Sequence, residues 1–189
     1  MHRSLKLMLP LSAFVLVAGV ATTARGAAPE TRPMTSQKPA LLAADKEFAL
    51  QAGRGGLAEV EIARVVVTRA TRPEVRDFAQ RLIDDHSRAN QELENLANQK
   101  SITLPTTLDP AQQNLLDRMK TMGGAALDDT YLKEMIKDHE ADSHLFERGQ
   151  NAQDPDLKAF AQRTLPTIQQ HLEMAKRLAE ATSSKGASR

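Results

Sequence analysis

The sequence contains no cysteine and no tryptophan, and only 3% of its 189 residues are aromatic. Without thiols the chain cannot form disulfides, cysteine nucleophiles, iron–sulfur clusters or zinc sites built on cysteine. A hydrophobic core must therefore supply the stability of the folded chain. The roughly 140 residues that follow position 40 are enough for one domain of ordinary size.

An excess of positive charge is also missing. The chain has 25 basic and 24 acidic residues, and removal of segment 1–26 would leave 22 basic residues against the same 24 acidic ones. The sequence shows neither a basic tract nor a platform of aromatic residues. We therefore do not expect nucleic acid to be a partner.

Residues 1–26 have the organisation of an export signal. A short basic stretch precedes the apolar run Leu7–Ala21, and small residues follow at the spacing required for cleavage before Ala27, with cleavage before Arg25 as an alternative. The apolar run is shorter than the ~20 residues that span a membrane. Later segments are less apolar, so we expect an exported periplasmic protein without a transmembrane segment after cleavage.

The rest of the chain divides into a linker, a helical domain and a tail. Residues 27–40 hold three prolines and no periodic pattern, which predicts a disordered linker. Residues 41–181 have helical spacing of apolar positions, which predicts an all-α domain. We expect long helices over 42–70, 71–100, 128–150 and 156–181, a short helix that starts at Pro110, and a flexible tail over 182–189. Thr71 and Glu74 have the spacing of a capping box, and Pro166 should bend the last helix.

Two internal repeats indicate how the helices are arranged. FAQRLIDDH at 78–86 is echoed by YLKEMIKDH at 131–139, and RPEVRDFAQR at 72–81 by DPDLKAFAQR at 154–163. The second repeat supports a duplicated helical hairpin. Two hairpins joined by a long crossover that holds a short extra helix form a ferritin-like four-helix bundle. An up-and-down bundle with a long loop is the alternative.

Each of the four long helices carries one metal-competent side chain on its apolar stripe. These side chains are Glu59, His86, His139 and His171. Residues three and four apart share a helix face, so all four should point into the bundle, and their distances from the hairpin turns place them at similar levels. Three imidazoles and one carboxylate would suit one divalent transition metal ion, namely zinc, copper, iron or manganese.

A structural interpretation competes with the metal site. A carboxylate that faces imidazoles can form a buried hydrogen-bond network without metal and fix the register of the helices. Asp85 and Asp138 precede two of the histidines. Because neighbouring residues on a helix point about 100° apart, each Asp should serve a histidine of another helix as a hydrogen-bond acceptor, or else form a helix cap or an ion pair.

Other candidates are weaker. His144 is out of phase with His139 and should be exposed. Asp45 lies at the start of the first helix, where it should interact with the helix dipole. Gly53, Gly55 and Gly56 should allow close packing of helices, since no strand precedes them to form a phosphate loop.

The sequence resembles a known family across residues 42–180. The segments DKEFALQAGRGGLAEVEIA, VRDFAQRLIDDHSRANQEL, ITLP, YLKEMIKDHEADSHLF and LKAFAQRTLPTIQQHLEMA are similar to the bacterial exported family called domain of unknown function 4142. The resemblance implies a ferritin-like helical bundle, often described as an exported or outer-membrane protein. It implies no agreed activity.

An oxidase of the ferritin-like type is not expected. Such enzymes use Glu-x-x-His on two helices, whereas isoleucines stand three residues before the histidines here, at Ile83, Ile136 and Ile168. We therefore assign no catalytic residue. The sequence favours a non-enzymatic exported protein that binds a partner or ligand, such as another envelope protein, in envelope maintenance or stress. The alternative is a mononuclear metal-binding protein that uses the four inward side chains.

Overall fold

A computed structural model describes the backbone of residues 41–187 and the side chains of residues 41–181. Five α-helices make up this part of the chain: α1 (Ala43–Arg69), α2 (Pro73–Gln99), α3 (Pro110–Thr121), α4 (Gly124–Gly149) and α5 (Pro155–Ala187). No strand occurs in the described range. The predicted signal peptide and the predicted linker at 27–40 lie outside the described residues. None of the described helices is both long enough and apolar enough to cross a membrane.

The helices form two hairpins, α1 with α2 and α4 with α5, and α1 also packs on α4 while α2 packs on α5. Buried carboxylates fix their directions. Asp45 at the start of α1 accepts the backbone N–H groups of Gln153 and Asp154, just before α5. Asp128 at the start of α4 accepts the backbone N–H of Thr71, just after α1. The start of each helix therefore lies beside the end of the other, and α1 and α4 are antiparallel.

This direction of α4 decides the topology. The chain leaves α2 at one end of the bundle and must travel its length before it can begin α4 at the other end. Helix α3 lies on this crossover and packs against α1. The predicted all-α bundle of two hairpins with a helix-bearing crossover is confirmed, and the up-and-down alternative is wrong.

Three details differ from the sequence prediction. The predicted Thr71–Glu74 capping box is wrong, because the cap residue of α2 is Arg72 and the Thr71 hydroxyl donates to Asp128 instead. Asp45 was expected to interact with the dipole of its own helix, and it also accepts hydrogen bonds from the segment before α5. Two of the long helices also extend beyond the predicted bounds: α4 begins at Gly124, and α5 begins at Pro155 and continues past residue 181 as far as Ala187.

The apolar core consists of two clusters. One includes Val66, Phe78, Leu82, Tyr131 and Leu132, and the other includes Phe48, Leu93, Phe146, Leu157 and Phe160. Each cluster contains side chains from all four long helices. The predicted inward positions 59, 86, 139 and 171 fall between the two clusters along every helix. The core is therefore divided at mid-height by a polar layer.

Two glycines lie at close contacts between helices. A methyl group added at Gly56 would lie 2.1 Å from Oδ1 of Asn90 on α2, and one added at Gly149 would lie 2.5 Å from the ring of Phe48 on α1. The expectation that glycines of α1 permit close packing is thus met at Gly56.

We expect Asp128→Ala to lower the free energy of unfolding by about 3 kcal/mol, because two backbone N–H groups and one hydroxyl lose a fully buried charged acceptor. Urea denaturation monitored by circular dichroism measures this loss. Asp129→Ala, at the next position, is the control and should change stability by less than about 0.5 kcal/mol. Equal effects of the two substitutions would contradict the capping role.

Candidate functional site

The polar layer brings together one side chain from each long helix. Glu59 of α1 is 2% exposed, His86 of α2 is 7% exposed, and His139 of α4 and His171 of α5 are fully buried. The three imidazole rings form an almost equilateral triangle, with centroid separations of 5.3 to 5.5 Å. The structure thus unites the four residues that the sequence analysis selected.

The carboxylate of Glu59 lies against two of the rings. Its Oε2 is 2.8 Å from Nδ1 of His86, and its Oε1 is 3.3 Å from Nδ1 of His139. Neither approach has the direction of a hydrogen bond, so both oxygens are buried without a hydrogen-bond donor among the described residues. Glu59 therefore packs closely against the two imidazoles. The orientation of the groups leaves the hydrogen-bond network of Glu59 incomplete.

The outer contacts of two histidines define their tautomers. Nδ1 of His139 lies 3.0 Å from the carbonyl oxygen of Met135 and must donate to it, which leaves Nε2 deprotonated in the neutral ring. Nε2 of His171 lies 3.0 Å from Oδ2 of Asp85 and donates to that carboxylate, which leaves Nδ1 deprotonated. We assign these protons from the partners, in the usual way.

One nitrogen on each ring therefore remains available. Nε2 of His86, Nε2 of His139 and Nδ1 of His171 are buried and have no hydrogen-bond partner among the described residues. Each ring offers a nitrogen within 4.8 Å of those offered by the other two. A tetrahedral ion with metal–nitrogen bonds of ~2.1 Å needs nitrogens ~3.4 Å apart, so the nitrogens would have to approach one another by up to ~1.4 Å to bind one ion together.

The two aspartates predicted to support the histidines behave differently. Asp85 contacts His171 on a different helix, as expected, and is also within ion-pair distance of Arg81 and Arg88 on its own helix. Asp138 has no hydrogen bond to a histidine in the described part of the chain. Its side chain is rotated about 100° around the helix axis from that of His139, and it lines a surface cleft between α1, α3 and α4. The supporting role predicted for Asp138 is therefore not seen.

Burial determines the charges in the layer. It lowers the pKa of His139 and of His171 to about 4 each, and it also lowers the pKa of His86. Burial raises the pKa of Glu59 from 4.5 to about 7, although the nearby His139 opposes this shift. The imidazoles are consequently neutral at pH 7, which is the state in which histidine binds metal.

Sequence reasoning missed one residue of this region. Asp142 on α4 is half-buried, and burial followed by the charge of Glu59 raises the pKa of its carboxyl well above the usual value. The repeat could have found it. Segments 72–81 and 154–163 are 82 residues apart, and at the similar offset of 83 Asp45 corresponds to Asp128 and Glu59 to Asp142. Asp142 is thus the counterpart of Glu59 in the second hairpin.

Two further polar groups complete the description. The hydroxyl of Tyr131 is buried without a hydrogen-bond partner among the described residues, and burial raises its pKa well above 10. His144 is exposed, as predicted, and lies 3.3 Å from Glu147 on the surface of α4. Neither residue contributes a nitrogen or oxygen to the triangle of rings.

The chain matches the family model described as domain of unknown function DUF4142 over residues 30–178. It belongs to this family. A comparison with curated proteins gives no match.

Solved structures with a similar fold belong to another family of unknown function. A DUF305 fragment from Deinococcus radiodurans is 12% identical, with a TM-score of 0.67 over 76% of this chain and 99% of that one. A DUF305 protein from Streptomyces coelicolor is 17% identical, with a TM-score of 0.61 over 76% of this chain and 94% of that one. At these identities the DUF305 structures show the shared helical fold alone.

The raised pKa of Glu59 gives a pH-dependent stability that a neutral residue lacks. Between pH 4.5 and 7 the unfolded chain releases this proton while the folded chain keeps it, so the contribution of Glu59 to stability falls as pH rises. From pH 4.5 to pH 7.5, the free energy of unfolding of Glu59→Gln should therefore rise by about 3 kcal/mol relative to that of the wild type. Urea denaturation of both proteins with chelator present measures this difference.

Glu61→Gln is the control for this comparison, because Glu61 is on the same helix and forms only a surface ion pair with Arg64. Its stability should follow the wild type at every pH. If the free energies of unfolding of Glu59→Gln and the wild type changed in parallel with pH, Glu59 would have an ordinary pKa in the folded protein.

Proposed function

We propose that this DUF4142 protein is an exported, non-enzymatic binding protein whose ligand is a single divalent transition metal ion. The observation that carries the proposal is the triangle of neutral, buried imidazoles, each with one ring nitrogen that lacks a hydrogen-bond partner in the described part of the chain. The family descriptions name no ligand, so support comes from the chemistry of the layer. Export is proposed from the signal-like segment 1–26, and the Streptomyces relative is described only as a candidate secreted protein.

The layer would be costly as a purely structural network. A buried polar group without a hydrogen bond costs ~1–3 kcal/mol, and three ring nitrogens and two carboxylate oxygens are in this condition. A completed hydrogen-bond network would instead satisfy its members. A bound dication would use the free nitrogens and would favour the ionised form of Glu59, which could then act as an oxygen ligand or as the balancing charge.

The donor types favour some ions over others. Neutral imidazole nitrogen suits zinc, copper and iron, and a carboxylate oxygen also accepts manganese. Calcium and magnesium prefer six or more oxygen ligands, which this layer does not provide. Asp85 would hold the ring of His171 in the tautomer that presents Nδ1 to the ion. The ion would be held rather than used, because the layer lacks the pair of Glu-x-x-His motifs of ferritin-like oxidases. A ferritin-like ancestry and an envelope partner remain predictions.

Calorimetric titration of the metal-free protein with Zn²⁺, Cu²⁺, Fe²⁺ and Mn²⁺ should give one ion per chain for at least one of these metals. Saturation at 100 times Kd should stabilise the protein by about 2.7 kcal/mol and raise its Tm by about 5–10 °C. His139→Ala should remove both effects. His144→Ala, which removes an exposed imidazole, should retain them.

An absence of binding by the wild type for all four metals would exclude the metal proposal. The layer would then be a hydrogen-bond network that fixes the register of the helices. Binding of two ions per chain with consumption of dioxygen would indicate an oxidase instead.

We expect Asp85→Asn to weaken metal binding by roughly 10- to 100-fold, because the amide no longer holds the N–H of His171 in a charged hydrogen bond. Competition with a chelating indicator measures the change in Kd. Asp84→Asn alters the adjacent exposed carboxylate, which pairs only with Gln80, and should leave Kd unchanged. Equal Kd values for Asp85→Asn and the wild type would show that Asp85 does not support the site.

A further inference from the structure

A surface cleft leads to the polar layer. It lies between α1, α3 and α4, has a volume of about 670 Å³, and is lined by Glu59, Asp138 and Asp142. Glu59 thus takes part in both the buried layer and the wall of the cleft. It is 2% exposed, and neither of its oxygens has a hydrogen-bond partner among the described residues.

The basic and the acidic side chains of the cleft differ in exposure. The four basic side chains that line it are all exposed, whereas none of its four acidic side chains is exposed; the bases are Arg54, Arg118, Lys137 and Arg148, and the acids are Glu59, Glu134, Asp138 and Asp142. Glu134 forms an ion pair with Arg118 at 2.8 Å and lies 3.8 Å from Lys137. The outer part of the cleft therefore holds four basic side chains and Glu134, and the inner part carries three carboxyl groups.

We propose that this cleft is the access route of the metal ion, and that Asp142 and Asp138 bind the ion transiently before it reaches Glu59 and the imidazoles. This inference rests on the proposed function. It adds two positioning residues that hold the ion only on its way to the site.

The need for such residues follows from the burial of the layer. A divalent ion enters an apolar core only if protein oxygens replace its water molecules as they leave, since an unpaired charge is strongly disfavoured there. Carboxylates at successive depths supply those oxygens. Asp142 is well placed for this exchange, because it lines the same cleft as Glu59 and its carboxyl group lies against α1 at Gly55.

The proposal is tested by the kinetics of Zn²⁺ exchange. Association with the metal-free protein is followed by stopped flow with a zinc indicator, and dissociation is followed by capture of released zinc with excess chelator. In Asp142→Asn both rate constants should fall by roughly tenfold, because an amide cannot take the ionised form that an approaching dication stabilises in a carboxyl group. Because a transient site affects only the path, Kd should stay within about twofold of the wild type.

Glu140→Gln is the matched control. It removes one negative charge from α4 two residues away, where Glu140 is exposed and pairs with Lys176 outside the cleft. Both rate constants of this variant should equal those of the wild type. Asp138→Asn is a second variant, which should slow exchange in the same sense and which keeps the test valid if Asp142→Asn is unstable.

Two results would overturn the access route: unchanged rate constants in both aspartate variants, or a weaker Kd caused by faster dissociation alone. The second result would make Asp142 a permanent ligand. Failure of this inference is distinguishable from failure of the proposed function, because the wild type would still bind zinc. A wild type that binds no metal would remove the proposed function itself.

Discussion

The desolvation of one acid and three imidazoles at the centre of the bundle is the constraint on which the other properties of this protein depend. Water would otherwise solvate these groups, and the helices around them exclude it. Exclusion keeps the imidazoles uncharged and favours the protonated form of Glu59. The same exclusion leaves ring nitrogens without partners, which is unfavourable for a folded chain unless another species supplies the missing interaction.

Two buried carboxylates hold the hairpins in the relation that this layer requires. Asp45 and Asp128 occupy corresponding positions in the two hairpins, and each accepts backbone N–H groups from the segment that precedes a helix of the other hairpin. Lys100 adds a third link, since its buried Nζ lies 2.7 Å from the carboxylates of both Asp154 and Asp156. These polar contacts specify direction and register, which apolar packing alone specifies poorly.

The sequence predicted the bundle and the four inward residues because both depend on spacing along single helices. Glu59 and the three histidines interrupt apolar stripes, and a stripe can be recognised without knowledge of its neighbours. Asp142 was missed because it lies at the edge of its stripe, where its surroundings come from α1. The cap of Asp128 was missed for the same reason: Thr71 and Glu74 satisfy a local rule, whereas the actual partner is 57 residues away. Contacts between distant segments are what a single sequence conceals.

The division of the core into two clusters bears on the origin of the chain. Each cluster contains side chains from both hairpins. An isolated hairpin would therefore expose the apolar side chains that pack against the other hairpin. A single hairpin with the repeated sequence would need a second copy to cover these apolar side chains, as in a symmetric homodimer. The acids retain this symmetry, as Glu59 and Asp142 show, whereas the repeat places Gly56 opposite His139 and Ala89 opposite His171. The imidazole triangle therefore does not follow the two-fold pattern of the acids.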